Sequence, residues 1–167
     1  MTPGNNFNMY TEEIELIRSQ NRVECDLYSI IACIIRERKQ SNEISLRDVS
    51  ARRKTEFSSE FIGSSGFPDF VIRERIKSNN ADTLGAIEAK YIEEDLEQHL
   101  IQVEGHLETY KKVIYTNGLK WRFYEGSVEN PVWDVELGKI KDGIINWNSE
   151  ENWRKLLSNL DDIKWIN

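Results

Sequence analysis

No apolar run in this sequence approaches the roughly 20 residues that a membrane-spanning helix needs, so no membrane partner is expected. The first residues, MTPGNNFNMYTEE, show neither the basic segment nor the apolar core of a secretory signal, and a cytoplasmic location is the expectation. Cysteine is scarce. Cys25 and Cys33 are the only two, eight positions apart, which excludes a disulfide framework and fits no zinc spacing. They are expected as reduced, packed thiols within one helix. Positive charge is in deficit, with 22 Lys and Arg against 29 Asp and Glu and a formal net charge of −7. A uniformly basic polyanion binder is thereby excluded. A protein whose acidic residues gather cations locally is not, because distribution matters more than the sum. Internal repeats and low-complexity tracts are absent.

The 167 residues, 39% hydrophobic and 31% charged, suit one domain with one core. The expected extent is 1–167, with a core over about 11–137 and a C-terminal helix over about 149–160. From Thr11 to Gln40, Ile14, Ile17, Val23, Leu27, Ile30, Ile31 and Ile34 recur at helical spacings. The drift around Ser19–Asn21 predicts one long helix or two in tandem, broken near Gln20–Asn21. ISLRDVS (44–50) reads as a weak strand, SSEFIGSSG (58–66) as a loop, and FPDFVIRERI (67–76) as a strand with Pro68 at its start. KSNNAD is a turn, and DTLGAIEAK completes a hairpin. Leu96, Leu100, Val103 and Leu107 mark a helix from about Ile92 to Tyr110. KVIYTNGLKWRFYEG (112–126) reads as a second hairpin on Asn117-Gly118, PVWDVEL (131–137) as a strand, and SEENWRKLLSNL as the last helix. The order predicts an α/β domain around a mixed central sheet flanked by helices.

One stretch carries chemistry. In LGAIEAK, strand alternation puts Leu84, Ala86, Glu88 and Lys90 on one face and Gly85, Ile87 and Ala89 on the other. A turn centred on Ser78-Asn79 sets Asp69 opposite Glu88, with Cβ atoms roughly 4.5–5.5 Å apart. Two carboxylates that close repel each other unless a cation stands between them. Oxygen ligands in a small cluster suit Mg²⁺ or Mn²⁺, and a Lys beside them can position a water.

Pro68-Asp69, a spacer of 18 residues and Glu88-Ala89-Lys90 together resemble the PD-(D/E)XK nuclease superfamily. The resemblance implies a restriction-endonuclease-like α-β-β-β-α-β core over about 11–125. It implies Mg²⁺ (or Mn²⁺) held by Asp69, Glu88 and the Ala89 carbonyl, with Lys90 orienting the attacking water. It further implies an acid on the first helix; Glu24 in NRVECDLYSII is the candidate, ahead of Glu12 and Glu13. Glu24 read alone is equally an ordinary exposed helix residue. More narrowly, HLIQVEGHLETY and VIYTNGLKWRFYE are similar to the nuclease domain of type I and type ISP restriction enzymes. There a Gln-x-x-x-Tyr helix precedes a Thr-Asn-Gly turn and an aromatic strand. Gln102 takes the Gln position as a supporting catalytic residue, the Tyr position falls on His106, and Tyr110 lies one turn further along. The chain has no Walker A or methyltransferase motif, so a translocase or methyltransferase would be supplied by other domains or subunits, in restriction and phage defence.

Arg47, Arg52, Arg53 and Lys54, in RDVSARRK, are the basic run; Arg52, Arg53 and Lys54 are the expected DNA backbone contacts, with His106 on the helix face beside Gln102. His99 and His106 are nearly two helical turns apart without a cysteine, which is not a zinc pair. Trp121, Phe123 and Tyr124 read as hairpin core rather than a base-stacking platform, and Lys90–Glu88 alone could be a surface ion pair of little worth. Two other functions stay open at this point: a nuclease fold that binds DNA or protein without cleaving, and a resolvase or repair nuclease.

Overall fold

The structure is a computed structural model that describes residues 1–51 and 55–166. Helix α1 spans Phe7–Gln20 and α2 spans Leu27–Arg36, joined through a 3₁₀ turn at Glu24–Asp26. The break at Gln20–Asn21 lies where the hydrophobic pattern drifts. The first helix begins four residues earlier than its apolar pattern, because the Asn6 side chain accepts the Met9 N–H at 3.0 Å and caps it. Glu24 consequently opens a turn instead of sitting mid-helix. Cys25 is exposed in that turn and only Cys33 lies on α2, so the pair is not packed within one helix.

Strand β1 (Ile44–Asp48), β2 (Phe70–Glu74) and β3 (Thr83–Ala89) are followed by α3 (Leu100–Tyr110), β4 (Lys112–Thr116) and β5 (Lys120–Glu125). Then come β6 (Trp133–Glu136), β7 (Gly138–Lys141), β8 (Ile144–Trp147) and α4 (Glu150–Asp161). The six-stranded sheet has the order β1-β2-β3-β4-β5-β6. Every neighbouring pair in it is antiparallel except β3–β4, which is parallel and crossed over by α3. A 3₁₀ turn at Leu96–His99 leads into α3, so the regular helix starts later than Ile92. The β7–β8 hairpin adds to the expected elements. Asp142 and Gly143, both at positive φ (52° and 77°), make the tight turn that its Asp-Gly dipeptide favours.

Helical spacing and strand alternation build two apolar layers. Tyr10 and Ile14 of α1, Leu27, Ile30, Ile31 and Ile34 of α2, and Trp153, Leu156 and Leu160 of α4 bury one face of the sheet through Phe70, Ile72, Ile87 and Ala89. Val103, Leu107 and Tyr110 of α3 bury the other through Val71, Ala86, Val113 and Tyr115. Trp121 and Phe123 join the first layer and Tyr124 the second, all buried, as hairpin core. Trp121 Nε1 donates to Tyr10 Oη at 3.2 Å, and Tyr10 Oη donates to the Gly118 carbonyl at 2.5 Å, which fastens α1 to the Thr116–Gly118 turn.

Pairing of β2 with β3 sets Phe70 against Ile87 and Val71 against Ala86. One step further puts Asp69 level with Glu88, the register that the sequence predicts. Toward the hairpin tip the register shifts between Ile72 and Arg73, with Leu84 as the extra residue. The bulge moves Leu84 off the Ala86 face and into the α1–α2–α4 layer, against simple alternation. Gly85 beside it has no room for a side chain. A Cβ there would stand 2.5 Å from the Trp165 ring and 2.8 Å from the Lys112 carbonyl oxygen. The expected outcome of Gly85→Ala is a loss of about 1–3 kcal/mol in folding stability, from overpacking against the β4 backbone, read from urea denaturation midpoints.

Candidate functional site

The site forms where β2 begins and β3 ends. The Asp69 carbonyl accepts the Val49 N–H at 2.9 Å, continuing the β1–β2 ladder and fixing Asp69 at the sheet margin. Its carboxylate Oδ2 accepts the Ala89 N–H at 2.7 Å, and Oδ1 meets the Tyr28 hydroxyl at 2.5 Å. Glu88 sits within β3 with 2% exposure. Its Oε1 accepts from Lys90 Nζ at 2.8 Å, and its Oε2 lies 3.0 Å from His106 Nε2. Lys90 Nζ also donates to Gln102 Oε1 at 2.8 Å, while its backbone N–H bonds the Thr116 carbonyl at 2.8 Å. Lys90 is therefore anchored at the end of β4 and clasped between β3 and α3. This answers why a core strand aims Glu and Lys from one face: the pair is buried, with 9% exposure at Lys90, not a solvated surface ion pair.

Of the expected residues, the fold brings together Asp69, Glu88, Lys90 and Gln102, with Ala89 touching the group through its N–H. Glu24 stands beside them. Its Oε1 is 3.0 Å from the Tyr28 hydroxyl that also meets Asp69. Glu12 and Glu13 lie on α1, and among the described residues neither is hydrogen-bonded to the cluster. His106 requires a correction. It has no exposed surface, so its ring cannot touch a nucleic-acid backbone; it packs against the sheet and holds Glu88. Its Nδ1 has no hydrogen-bond partner among the described residues. A neutral ring with its proton on Nε2 satisfies Glu88 and leaves only an acceptor unmatched. His99 instead pairs with Glu94 Oε2 at 2.6 Å. Arg52, Arg53 and Lys54 lie outside the described residues; Arg47 is exposed at the end of β1.

Tyr28 was missed in the sequence, and His106 was read as a DNA contact instead of a buried partner of Glu88. Tyr28 follows Glu24 by one helical turn, a visible i,i+4 pair, but its reach to Asp69 depends on how α2 docks. The burial of His106 was signalled by spacing, since Val103, His106 and Tyr110 fall three and four apart on one helical stripe.

Electrostatics show strain in this arrangement. Burial, then the neighbouring Glu88 carboxylate, pushes the Asp69 carboxyl up to about 7. Burial first, then the hydrogen bond to Asp69, raises Tyr28 as well. A single phenol proton cannot serve both Asp69 and Glu24. A protonated Asp69 resolves this by donating to the Tyr28 oxygen while Tyr28 donates to Glu24. The donor set suits a small hard cation: Asp69 and Glu88 supply oxygen ligands alone, and burial close together raises the energy of their shared ionised state. Among the described residues no three His, Cys, Asp or Glu side chains gather as a cage.

No protein-family model and no curated protein matches the sequence. The fold does match a solved structure, a DrdV–DNA complex determined by cryo-EM, with a TM-score of 0.59 and 12% identity. That match covers 94% of this chain and 14% of the other, so this chain spans about one-seventh of the protein it resembles. The likeness establishes a shared mixed α/β fold.

Asp69 yields a pH prediction. Its folded pKa lies above the ordinary carboxyl value, so between about pH 4 and 7 the folded state holds a proton that the unfolded state releases. Stability without added metal therefore falls as pH rises through that window. Asp69→Asn, which keeps both hydrogen bonds, is expected to raise stability at pH 8 by on the order of a few kcal/mol and to change little at pH 4, in paired denaturation curves. His106→Ala should cost about 1–3 kcal/mol by leaving Glu88 short of a donor, with His106→Gln losing less.

Proposed function

We propose that this chain is a metal-dependent DNA endonuclease domain of the PD-(D/E)XK type, hydrolysing phosphodiester bonds. The observation that carries the reading is the gathering of Asp69, Glu88 and Lys90, from two strand ends, into one buried cluster with Gln102 on Lys90. The fold shared with part of a chain from a DrdV–DNA complex supports DNA as the substrate class. Because that match spans a small part of the other chain, the natural setting proposed is a larger restriction protein, with translocase or methyltransferase parts, acting in phage defence.

Asp69 and Glu88 would hold Mg²⁺ or Mn²⁺, with the Ala89 carbonyl and, through water, Glu24 as further ligands. The bound ion would acidify water and offset the negative charge of the phosphate. Lys90 Nζ, steadied by Glu88 and Gln102, orients a water for in-line attack on phosphorus and faces the charge developing on the phosphoryl oxygens. The new bond is water oxygen to phosphorus and the broken bond is phosphorus to the 3′-oxygen, which leaves a 5′-phosphate and a 3′-hydroxyl. His106 is a positioning residue: it holds the second oxygen of Glu88, so the carboxylate cannot rotate away. Tyr28 does the same for Asp69.

A second reading, binding without cleavage, is favoured by one observation: all four carboxylate oxygens already have a hydrogen-bonding neighbour within the protein. The two readings separate experimentally. Supercoiled plasmid with Mn²⁺ or Mg²⁺ should be nicked or linearised, and EDTA should abolish this. Asp69→Ala, Glu88→Ala and Lys90→Ala should each slow it by on the order of 100-fold or more. Cleavage by Asp69→Ala at the parent rate would refute the nuclease reading. Mn²⁺ at about 100 times its Kd should stabilise the parent by roughly 2.7 kcal/mol, and an inert binding module should show no such gain.

A further inference from the structure

A cleft of about 740 Å³ wraps the outer edge of β1, between the end of α2 and the β2–β3 hairpin, away from the carboxylates. Its lining is basic. Arg36 from α2, Arg47 from β1, and Arg73, Arg75 and Lys77 from β2 and the hairpin contribute cations, against Glu74 as the acid among the described lining residues. Arg73 is used structurally. Its guanidinium bonds the Ala81 carbonyl, lies 3.9 Å from Glu60 and covers the Phe61 ring at 5.3 Å. Glu74 is also engaged, accepting the Asp82 N–H at 3.1 Å. The other four cations differ. Arg36, Arg47, Arg75 and Lys77 are exposed, and among the described residues no ion pair joins any of them to a carboxylate. Among the described residues the Arg75 guanidinium hydrogen-bonds only the backbone carbonyls of Ser41 and Ile44, at 3.3 and 3.5 Å. Four unpaired cations around one cleft are a marked segregation on a chain with a net charge of −7.

The cleft also aligns with the carboxylates. The β1–β2 pairing sets Arg47 against Val71, and the ladder continues to Val49 beside Asp69. Arg47 is thus a diagonal cross-strand neighbour of Asp69 on the same sheet face, a separation of roughly 7–8 Å. From Arg47 the strand runs back to Glu43, whose carbonyl accepts the Arg75 N–H at 3.0 Å, a length of about 13 Å. At a rise of about 3.4 Å per step along the duplex axis, that length corresponds to about four base-pair steps.

We propose that this cleft is a phosphate-backbone site for DNA, in which Arg47, Arg36, Arg75 and Lys77 hold the strand flanking the phosphate positioned at Asp69 and Glu88. The choice of DNA rests on the nuclease reading. The site would fix the path and register of the strand, which is what phosphate contacts from Arg and Lys do. A second copy of this chain fits less well, since the same four cations would have to face an acidic surface across a symmetric contact.

The test is duplex binding by fluorescence anisotropy in EDTA, so that cleavage is off, over a series of salt concentrations. Arg36→Gln, Arg47→Gln, Arg75→Gln and Lys77→Gln are each expected to lower the slope of log K against log salt by about one. The triple change at Arg36, Arg47 and Lys77 is expected to weaken binding on the order of 100-fold at 0.1 M salt. Lys141→Gln and Lys155→Gln, exposed cations on β7 and α4, should leave the slope in place, and unchanged thermal midpoints show that the folds are intact. Three outcomes overturn the proposal: the slope and affinity of the triple variant match the parent, the parent fails to bind duplex at low salt, or acidic polyglutamate competes as well as DNA. Metal-dependent plasmid cleavage is scored separately. Binding that depends on the cleft without cleavage sinks the nuclease reading and keeps the site; cleavage with an indifferent cleft does the reverse.

Discussion

The parallel pairing of β3 with β4 governs everything at the site. Parallel neighbours cannot be joined by a tight turn, so the chain must cross over, and here the crossover is α3. The helix packs Val103, Leu107 and Tyr110 onto the sheet, and the same docking sets Gln102 and His106 above Glu88 and Lys90. Because β3 and β4 end side by side, the N–H of Lys90 reaches the Thr116 carbonyl. The lysine thus leaves the strand at a fixed point. With an antiparallel β4 and a short turn, Glu88 would face solvent without His106, and Lys90 would lose Gln102.

A buried carboxylate pair is an odd thing for a small fold to keep. Paired carboxyls in a low-dielectric setting destabilise each other, and apolar substitutes of similar size are often neutral or better for stability. The fold nevertheless surrounds Asp69 and Glu88 with four donors from three segments: Tyr28 on α2, Ala89 and Lys90 around the end of β3, and His106 on α3. These donors set the orientation of each oxygen, yet burial first and the neighbouring Glu88 carboxylate second still hold the Asp69 carboxyl above its ordinary value. Geometry is specified here at the expense of stability, which is how sites built for chemistry usually differ from cores.

Much of this was legible in the sequence, for definite reasons. Asp69 and Glu88 were placed opposite each other from a turn centred on Ser78-Asn79 and a period of two, but the tip pairs Arg73 with Thr83, so the match also depends on the extra residue at Leu84. The helix break at Gln20, the α3 face and the Asn117-Gly118 hairpin followed from pattern and turn chemistry alone. The bulge at Leu84 was harder, although a lone Gly85 within a strand is a signal for one. The β7–β8 hairpin was signalled by Asp142-Gly143. Tyr28 lay beyond reach, because its role is set by the docking of α2 against the start of β2, a tertiary fact with no local signature. His106 was misplaced by weighing its spacing from Gln102 over its place among Val103, Leu107 and Tyr110. The burial of that stripe outranks the pairing.

The bulge at Leu84 divides the β2–β3 hairpin into two sections that obey different registers. On the side of the carboxylates, pairing is pinned by Phe70–Ile87 and Val71–Ala86 and by the cores above and below. On the side of the tip, β3 carries the extra residue, while Arg73, Glu74 and Arg75 of the other strand stay in unbroken register with β1. The spacing between the two acids is therefore the one that these inner strand pairs impose, and β1 carries that frame past the bulge toward the tip.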